Sequence, residues 1–255
     1  MRFLTAEQHQ LVVKQLVELG RKLISARRQH SSGFEFTSLM VCFLMHNLSA
    51  AEALLRLLNS TTEKWFPATV GYTIVRTMFE IDVTAHYISQ QPVERSRRYI
   101  KYGRILKKKR MDACLRHCDS RDAQWAEGMK NEWEHHWKEQ QNEVNKQYEE
   151  VKEAFKKTNS WAGMTIKEMA KAVHHEEAYD IFYAELCSFA HADVKLVDRF
   201  LQRESGGLKW SMAADEFDVA SVFRYVAIFL SCTIMLFDEQ FECGMGGCVD
   251  ECWNV

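Results

Sequence analysis

The chain has 255 residues, a formal net charge of −2, 47% hydrophobic residues and 27% charged ones. Those are the proportions of an ordinary globular protein with enough chain for a sizeable core. Two prolines, with none after Pro92, leave little turn chemistry for a many-stranded sheet, so the composition points to helix.

Apolar residues recur at three- and four-residue spacing through most of the chain, the signature of amphipathic helices. Leu11, Val12, Leu16, Leu19, Leu23 and Ile24 mark one face of a helix over about 5–29, and "SSG" (31–33) breaks it. A second helix is expected over about 35–59. A third begins after "STTEKWFP", where Pro67 suits a first turn, and runs to about Ser89. Beyond Pro92 a basic helix reaches about Cys118, and "CDSRD" supplies a turn with capping residues. The polar stretch from Trp125 to Lys157 carries Trp133, Trp137, Val144, Tyr148, Val151 and Phe155 at intervals. It reads as a long, mostly solvated helix. Thr165 and Glu168 make a capping-box pattern before the next helical pieces. A helix over about 176–203 ends at "ESGG", and an apolar helix over about 216–240 closes the fold. Arg224 interrupts the apolar segment 219–237, and few residues follow before Asp238. That makes it a buried core helix rather than a membrane span.

Charge is unevenly placed. "ERSRRYIKYGRILKKKR" (94–110) is basic, while "DEFD" (215–218) and the tail from Asp238 to Glu251 are acidic. Internal pairing and an anionic partner explain this equally well. Within the basic run Arg97, Arg98, Lys101, Arg104 and Lys108, with Tyr99 and Tyr102 interleaved, form a candidate nucleic-acid-binding face; a solvated helix face has the same pattern. The eight cysteines sit largely in apolar patterns, and the opening residues lack a signal-peptide core, so a reducing cytoplasmic location is expected.

Two stretches carry candidate chemistry. In "VRTMFEIDVTAHY" (75–87), Arg76 and Glu80 lie one turn apart among apolar neighbours, either locking helices together or lining a site. In "AYDIFYAELCSFAHAD" (178–193), Tyr183, Cys187 and His191 share a helix face, and an imidazole beside a phenol can move protons. The alternative for His191 is a buried histidine with one partner, and for Cys187 simple packing. Metals have thinner support. Glu132-x-x-His135 is half of a di-iron pattern without its second half, and Cys243, Cys248 and Cys252 lack a fourth zinc ligand and read equally as a flexible tail. No metal site and no cofactor are therefore expected.

Arg-x3-Glu on an apolar helix, then "SWAGMTIKEMAKAV", then Tyr-x3-Tyr-x2-Leu-x-Ser-x2-His resembles an uncharacterised bacterial family of all-helical proteins, a domain of unknown function. The likeness covers roughly residues 35–200. It carries over Arg76, Glu80, Tyr183, Ser188 and His191, with Cys187 where a small polar residue is more usual. More distantly the chain is similar to HEPN helical bundles, many of them metal-independent ribonucleases of toxin and phage-defence systems. Their Arg-then-His hallmark has one literal match here, Arg110 and His117. The HEPN likeness implies that His191 and Arg76 serve a ribose hydroxyl and a phosphate, and that the chain pairs as a homodimer.

The expected architecture is a single all-α domain over 1–255, a HEPN-like helical bundle. Residues 120–160 form a projecting helical insertion and 241–255 a Cys/Gly-rich tail. The expected catalytic set is Arg76, Glu80, Tyr183 and His191. Two function classes follow. One is a protein that binds or acts on RNA or nucleotide, a ribonuclease of bacterial defence or stress response. The other is a non-catalytic scaffold or protein-interaction module. No membrane partner is expected.

Overall fold

Thr5 starts the first helix. Its hydroxyl accepts the Gln8 backbone N–H at 3.2 Å, while the Gln8 side chain accepts the Thr5 N–H at 2.9 Å, a reciprocal cap. A computed structural model describes residues 4–27, 31–60, 68–158, 160–190, 201–204, 207–210 and 216–255. In chain order the helices are α1 (Ala6–Ala26), α2 (Phe34–Ser60), α3 (Ala68–Ser89), α4 (Pro92–His117), α5 (Ala123–Glu132), α6 (Gln141–Glu149), α7 (Lys152–Phe155), α8 (Ile166–Ala172), α9 (Glu176–Ala178), α10 (Ala184–Ala190), α11 (Glu216–Phe241) and α12 (Gly247–Cys252). Wider π turns at Trp133–Trp137 and Tyr179–Tyr183 follow α5 and α9. The fold is all-α, with one small addition. β1 (Leu201–Glu204) and β2 (Gly207–Trp210) pair antiparallel, from Leu201 opposite Trp210 to Glu204 opposite Gly207. The helix expected over 176–203 therefore gives way to a strand at its end.

The chain divides into two compact units, residues 1–92 with 166–255, and residues 93–165. In the first, α11 packs against α1, α2 and α3. Its Val222, Phe223, Val226, Leu230, Ile234 and Phe237 are buried together with Val12, Leu16, Leu44, Val75 and Phe79. Each such side chain contributes about 1.5 to 3 kcal/mol when removed from water. Helices α1 and α2 approach closely at Gly20, where a Cβ would stand 2.6 Å from Leu48 Cδ2. Both Phe34–Asn59 and Asp218–Phe241 are long and apolar enough to cross a membrane, and most of the second window is buried inside the protein.

The second unit corrects the expected continuous helix over 125–157. The chain there forms α5, the π turn, α6 and α7, with irregular junctions around 138–140 and 150–151. Trp137, Val144 and Val151 lie seven apart, and a seven-residue stripe drifts around a straight helix. The breaks re-phase it, so that Trp137 and Val144 pack with Met111 and Cys114, and Val151 and Phe155 with Ile105.

The Cys/Gly-rich end is likewise ordered. Asp238 Oδ1 accepts the Met245 N–H at 2.8 Å, Trp253 Nε1 donates to Ser231 Oγ at 3.1 Å, and Val249 and Cys252 of α12 are buried. All eight cysteines are free thiols.

Candidate functional site

Helix α3 carries the polar chemistry of the first unit on two faces. On one, Arg76 and Glu80 meet across a single turn, Nε donating to Oε1 at 3.0 Å. Across from them the π turn Tyr179–Tyr183 widens the helix and stacks Tyr179 on Tyr183, ring centroids 4.7 Å apart. Phe79 of α3 packs on the Tyr183 ring at 5.4 Å. This puts the Tyr183 hydroxyl over the ion pair, where it donates to Glu80 Oε1 at 2.6 Å and accepts from Arg76 Nη2 at 3.4 Å. Burial pushes the Tyr183 phenol well above its usual range, Glu80 adds to the rise and Arg76 opposes it. Burial works against the Arg76 charge, but Tyr183 and Glu80 outweigh it and raise its pKa. The tyrosine is thus a neutral hydrogen-bond donor at ordinary pH, and the trio ties α3 to the π turn.

The other expected residues are placed less tightly. Cys187 is half-buried, and Ser188 is buried with its hydroxyl donating to the Glu185 carbonyl at 2.7 Å. His191 lies outside the described residues. On α4, Arg98 Nε donates to the Trp161 carbonyl at 2.6 Å, Arg104 pairs with Glu150 at 2.8 Å, and Lys108 pairs with Asp112. Arg97 and Lys101 are exposed. Arg104 and Lys108 therefore have carboxylate partners within their own unit. Arg110 pairs with Glu132 at 3.1 Å, and His117 is exposed. His135 Nδ1 lies 2.7 Å from the Asn131 carbonyl, and Glu132 faces Arg110 and His136.

A second cluster on α3 was passed over in the sequence. Asp82 and His86 lie one turn apart, and Asp82 is only 1% exposed. Its Oδ1 is 3.2 Å from the Thr233 hydroxyl of α11, which also accepts from Asn47 Nδ2 of α2 at 2.9 Å. His86 Nδ1 stands 3.4 Å from Asp82 Oδ1 and 3.0 Å from the Asp82 carbonyl. From the other side comes His175, with Nδ1 3.4 Å from Asp82 Oδ2. The chain delivers it through a Schellman turn that ends α8. His175 N–H donates to the Ala170 carbonyl at 2.7 Å, His174 N–H to that of Lys171 at 3.2 Å, and His174 takes the left-handed φ of 62°. The two imidazoles meet edge to face at 4.7 Å. For His86, burial favours the neutral ring but Asp82 prevails and raises its pKa; burial and the neighbouring histidines lower that of His175. Burial, with Asp82 adding, pushes the Cys232 thiol up to about 12. The Asp-x3-His spacing was visible in "EIDVTAH", but nothing local points from it to His175, 89 positions after His86 in the numbering.

Neither curated proteins nor solved structures include a match to the chain. A family model described as "Family of unknown function (DUF5677)" matches residues 37–208, well over half of the sequence and including both α3 clusters, the π turn and α10. The chain belongs to this DUF5677 family.

Proposed function

We propose that the protein is a non-catalytic helical module that works by pairing with a second copy of itself. The observation that carries this reading is the mutual bonding of Arg76, Glu80 and Tyr183. The charge of Arg76 is balanced where it stands, and the Tyr183 hydroxyl is committed to Glu80. Such a trio fixes one helix against another and suits a rigid body better than a reaction centre. The pairing surface is the outward face of α2. Phe34, Val41 and Met45 fall at i, i+7 and i+11, with Phe34 78% and Met45 52% exposed. Ser38, Cys42 and Ser49 continue the stripe, and beyond them on the same face Glu52 and Arg56 pair at 3.7 Å, so two copies related by a two-fold axis meet on its uncharged part without like-charge conflict. Sedimentation equilibrium of the wild type should give a dimer, and a Phe34→Ser/Met45→Glu variant a monomer. A wild type that remains monomeric at tens of micromolar sinks the reading.

One observation favours a second reading, in which the protein binds or cleaves RNA or a nucleotide in the cytoplasm as part of bacterial defence. Arg97 and Lys101 are exposed one turn apart on α4, and phosphate contacts by such residues weaken steeply with salt. Its finer form, a HEPN-like metal-independent ribonuclease, assigns proton transfer to His191 and phosphate binding to Arg76. RNA incubated with wild type, Arg76→Ala and His191→Ala proteins separates the readings. Cleavage by the wild type that both variants lose establishes the ribonuclease and ends the non-catalytic reading.

A further inference from the structure

The Arg76 trio satisfies itself, whereas the two imidazoles beside Asp82 stand off from its carboxylate. His86 Nδ1 stands 3.4 Å from Asp82 Oδ1 and His175 Nδ1 3.4 Å from Asp82 Oδ2, each longer than an ordinary N–H···O bond. A tetrahedral ion with bonds of about 2.0 to 2.1 Å holds its ligand atoms roughly 3.3 to 3.4 Å apart. One ligand atom from each of Asp82, His86 and His175 lies within 4.8 Å of the others. We propose that these three residues bind a divalent transition-metal ion of the zinc class, with a fourth position open to the pocket beside His86.

Three features support this site. First, the donor set is two imidazoles and one carboxylate, the nitrogen and oxygen chemistry that such ions take up. Second, the carboxylate is almost wholly buried, and an ion held among the three groups supplies the compensating charge that a buried anion needs. Third, an adjoining pocket is lined by His86, Cys232, Asp238, Glu239 and Asp250, whose carboxylates draw cations toward the ring. Asp238 is partly committed to the Met245 N–H, which leaves Glu239 and Asp250 as the main source of this attraction. The Thr233 hydroxyl on Asp82 and the left-handed turn at His174 hold two of the three ligands in place. Three protein ligands beside an open pocket match the pattern of ions that keep a position for water or another small ligand.

The test uses the full chain after treatment with a chelator, titrated with zinc in a calorimeter and with cobalt in a spectrophotometer. One ion per chain is expected, with a cobalt spectrum lacking a thiolate charge-transfer band. Asp82→Asn, His86→Ala and His175→Ala should each weaken binding by more than about 100-fold, beyond the cost of an outer-shell change. His117→Ala, an exposed histidine of the other unit, is the control, and Cys248→Ser/Cys252→Ser removes the α12 thiols; both should still bind. Circular dichroism of each variant separates loss of ligand from loss of fold, and Asp82→Asn keeps the shape of the side chain should a histidine variant unfold. Unchanged binding in the histidine and aspartate variants, binding lost with the α12 cysteines, or no binding by the wild type overturns the proposal. None of these outcomes touches the pairing of two chains, which sedimentation reads separately.

Discussion

The two units of this protein treat charge in opposite ways. In the first, polar groups are drawn into the bundle: Asp82 is buried among α2, α3 and α11, and the Arg76–Glu80 pair is capped by a tyrosine from another helix. In the second, apart from the half-buried Lys108–Asp112 pair, the ion pairs lie nearer the rim. Arg104–Glu150, Lys138–Glu134 and Lys152–Glu149 lie around two small apolar clusters, and Arg98 and Lys108 cover the Phe155 and Tyr148 rings. A buried charge is costly to strip of its partners, while a rim pair contributes little. The first unit therefore depends on a few specific polar contacts, and the second on small clusters under a replaceable charged coat.

The harshest test removes core from one unit and watches both. Phe79→Ala deletes a fully buried ring packed on Tyr183 and Phe229, and should cost about 3 to 5 kcal/mol. Hydrogen exchange should rise across 68–89 and 216–241 and stay unchanged across 93–165. Equal loosening of both regions would mean that they unfold as one body, and the contrast would lose its basis. Tyr183→Phe comes next. It keeps the ring and removes only the hydroxyl, so chemical denaturation should show a loss of about 1 to 2 kcal/mol, reduced by the partial exposure of Glu80.

How far the sequence revealed this contrast depends on length and locality. The helices α1 to α4 and α11 were legible to within a few residues because each has a long apolar stripe, and α8 begins directly after the expected cap at Thr165. The breaks between α5, α6 and α7 were not, since Trp137, Val144 and Val151 fit an unbroken helix until the packing of α4 is known. The β1–β2 hairpin was hidden by apolar residues that read as the end of a helix. Tyr183 stood out because it shares a helix face with Cys187 and His191, and Arg76 and Glu80 because a charged pair in an apolar helix needs an explanation. Asp82 and His86 stood in the same quoted stretch. His175 was invisible as their partner, because the turn that aims it depends on a left-handed histidine that no local rule predicts.

Smaller effects sharpen the comparison through pH. His9 is buried on α1, its Nδ1 is without a hydrogen bond, and its ring meets Trp253 edge to face. Burial lowers its pKa, the Thr5 carbonyl works the other way, and the Arg224 charge adds to the lowering. A depressed folded pKa means that the unfolded chain takes up the proton first. The contribution of His9 is thus fully present above about pH 6.5, the unfolded value, and is lost as pH falls through the lower folded value. Urea midpoints between pH 7 and pH 5 should fall less steeply for His9→Gln than for the wild type. Parallel slopes would show that His9 is not a buried neutral group.

The smallest expected effect lies in the second unit. Arg104 and Glu150 meet at 2.8 Å, but their side chains remain 35% and 50% exposed. Water screens such a pair, and fixing two long side chains opposes the attraction, so Glu150→Ala should cost no more than about 1 kcal/mol. In high salt, where the screening length shrinks to a few ångströms, the difference from wild type should nearly vanish. A larger loss, or one that persists in salt, would place this pair with the buried contacts of the first unit. Charge at the rim would then be holding the fold, and the distinction between the units would rest on their apolar cores alone.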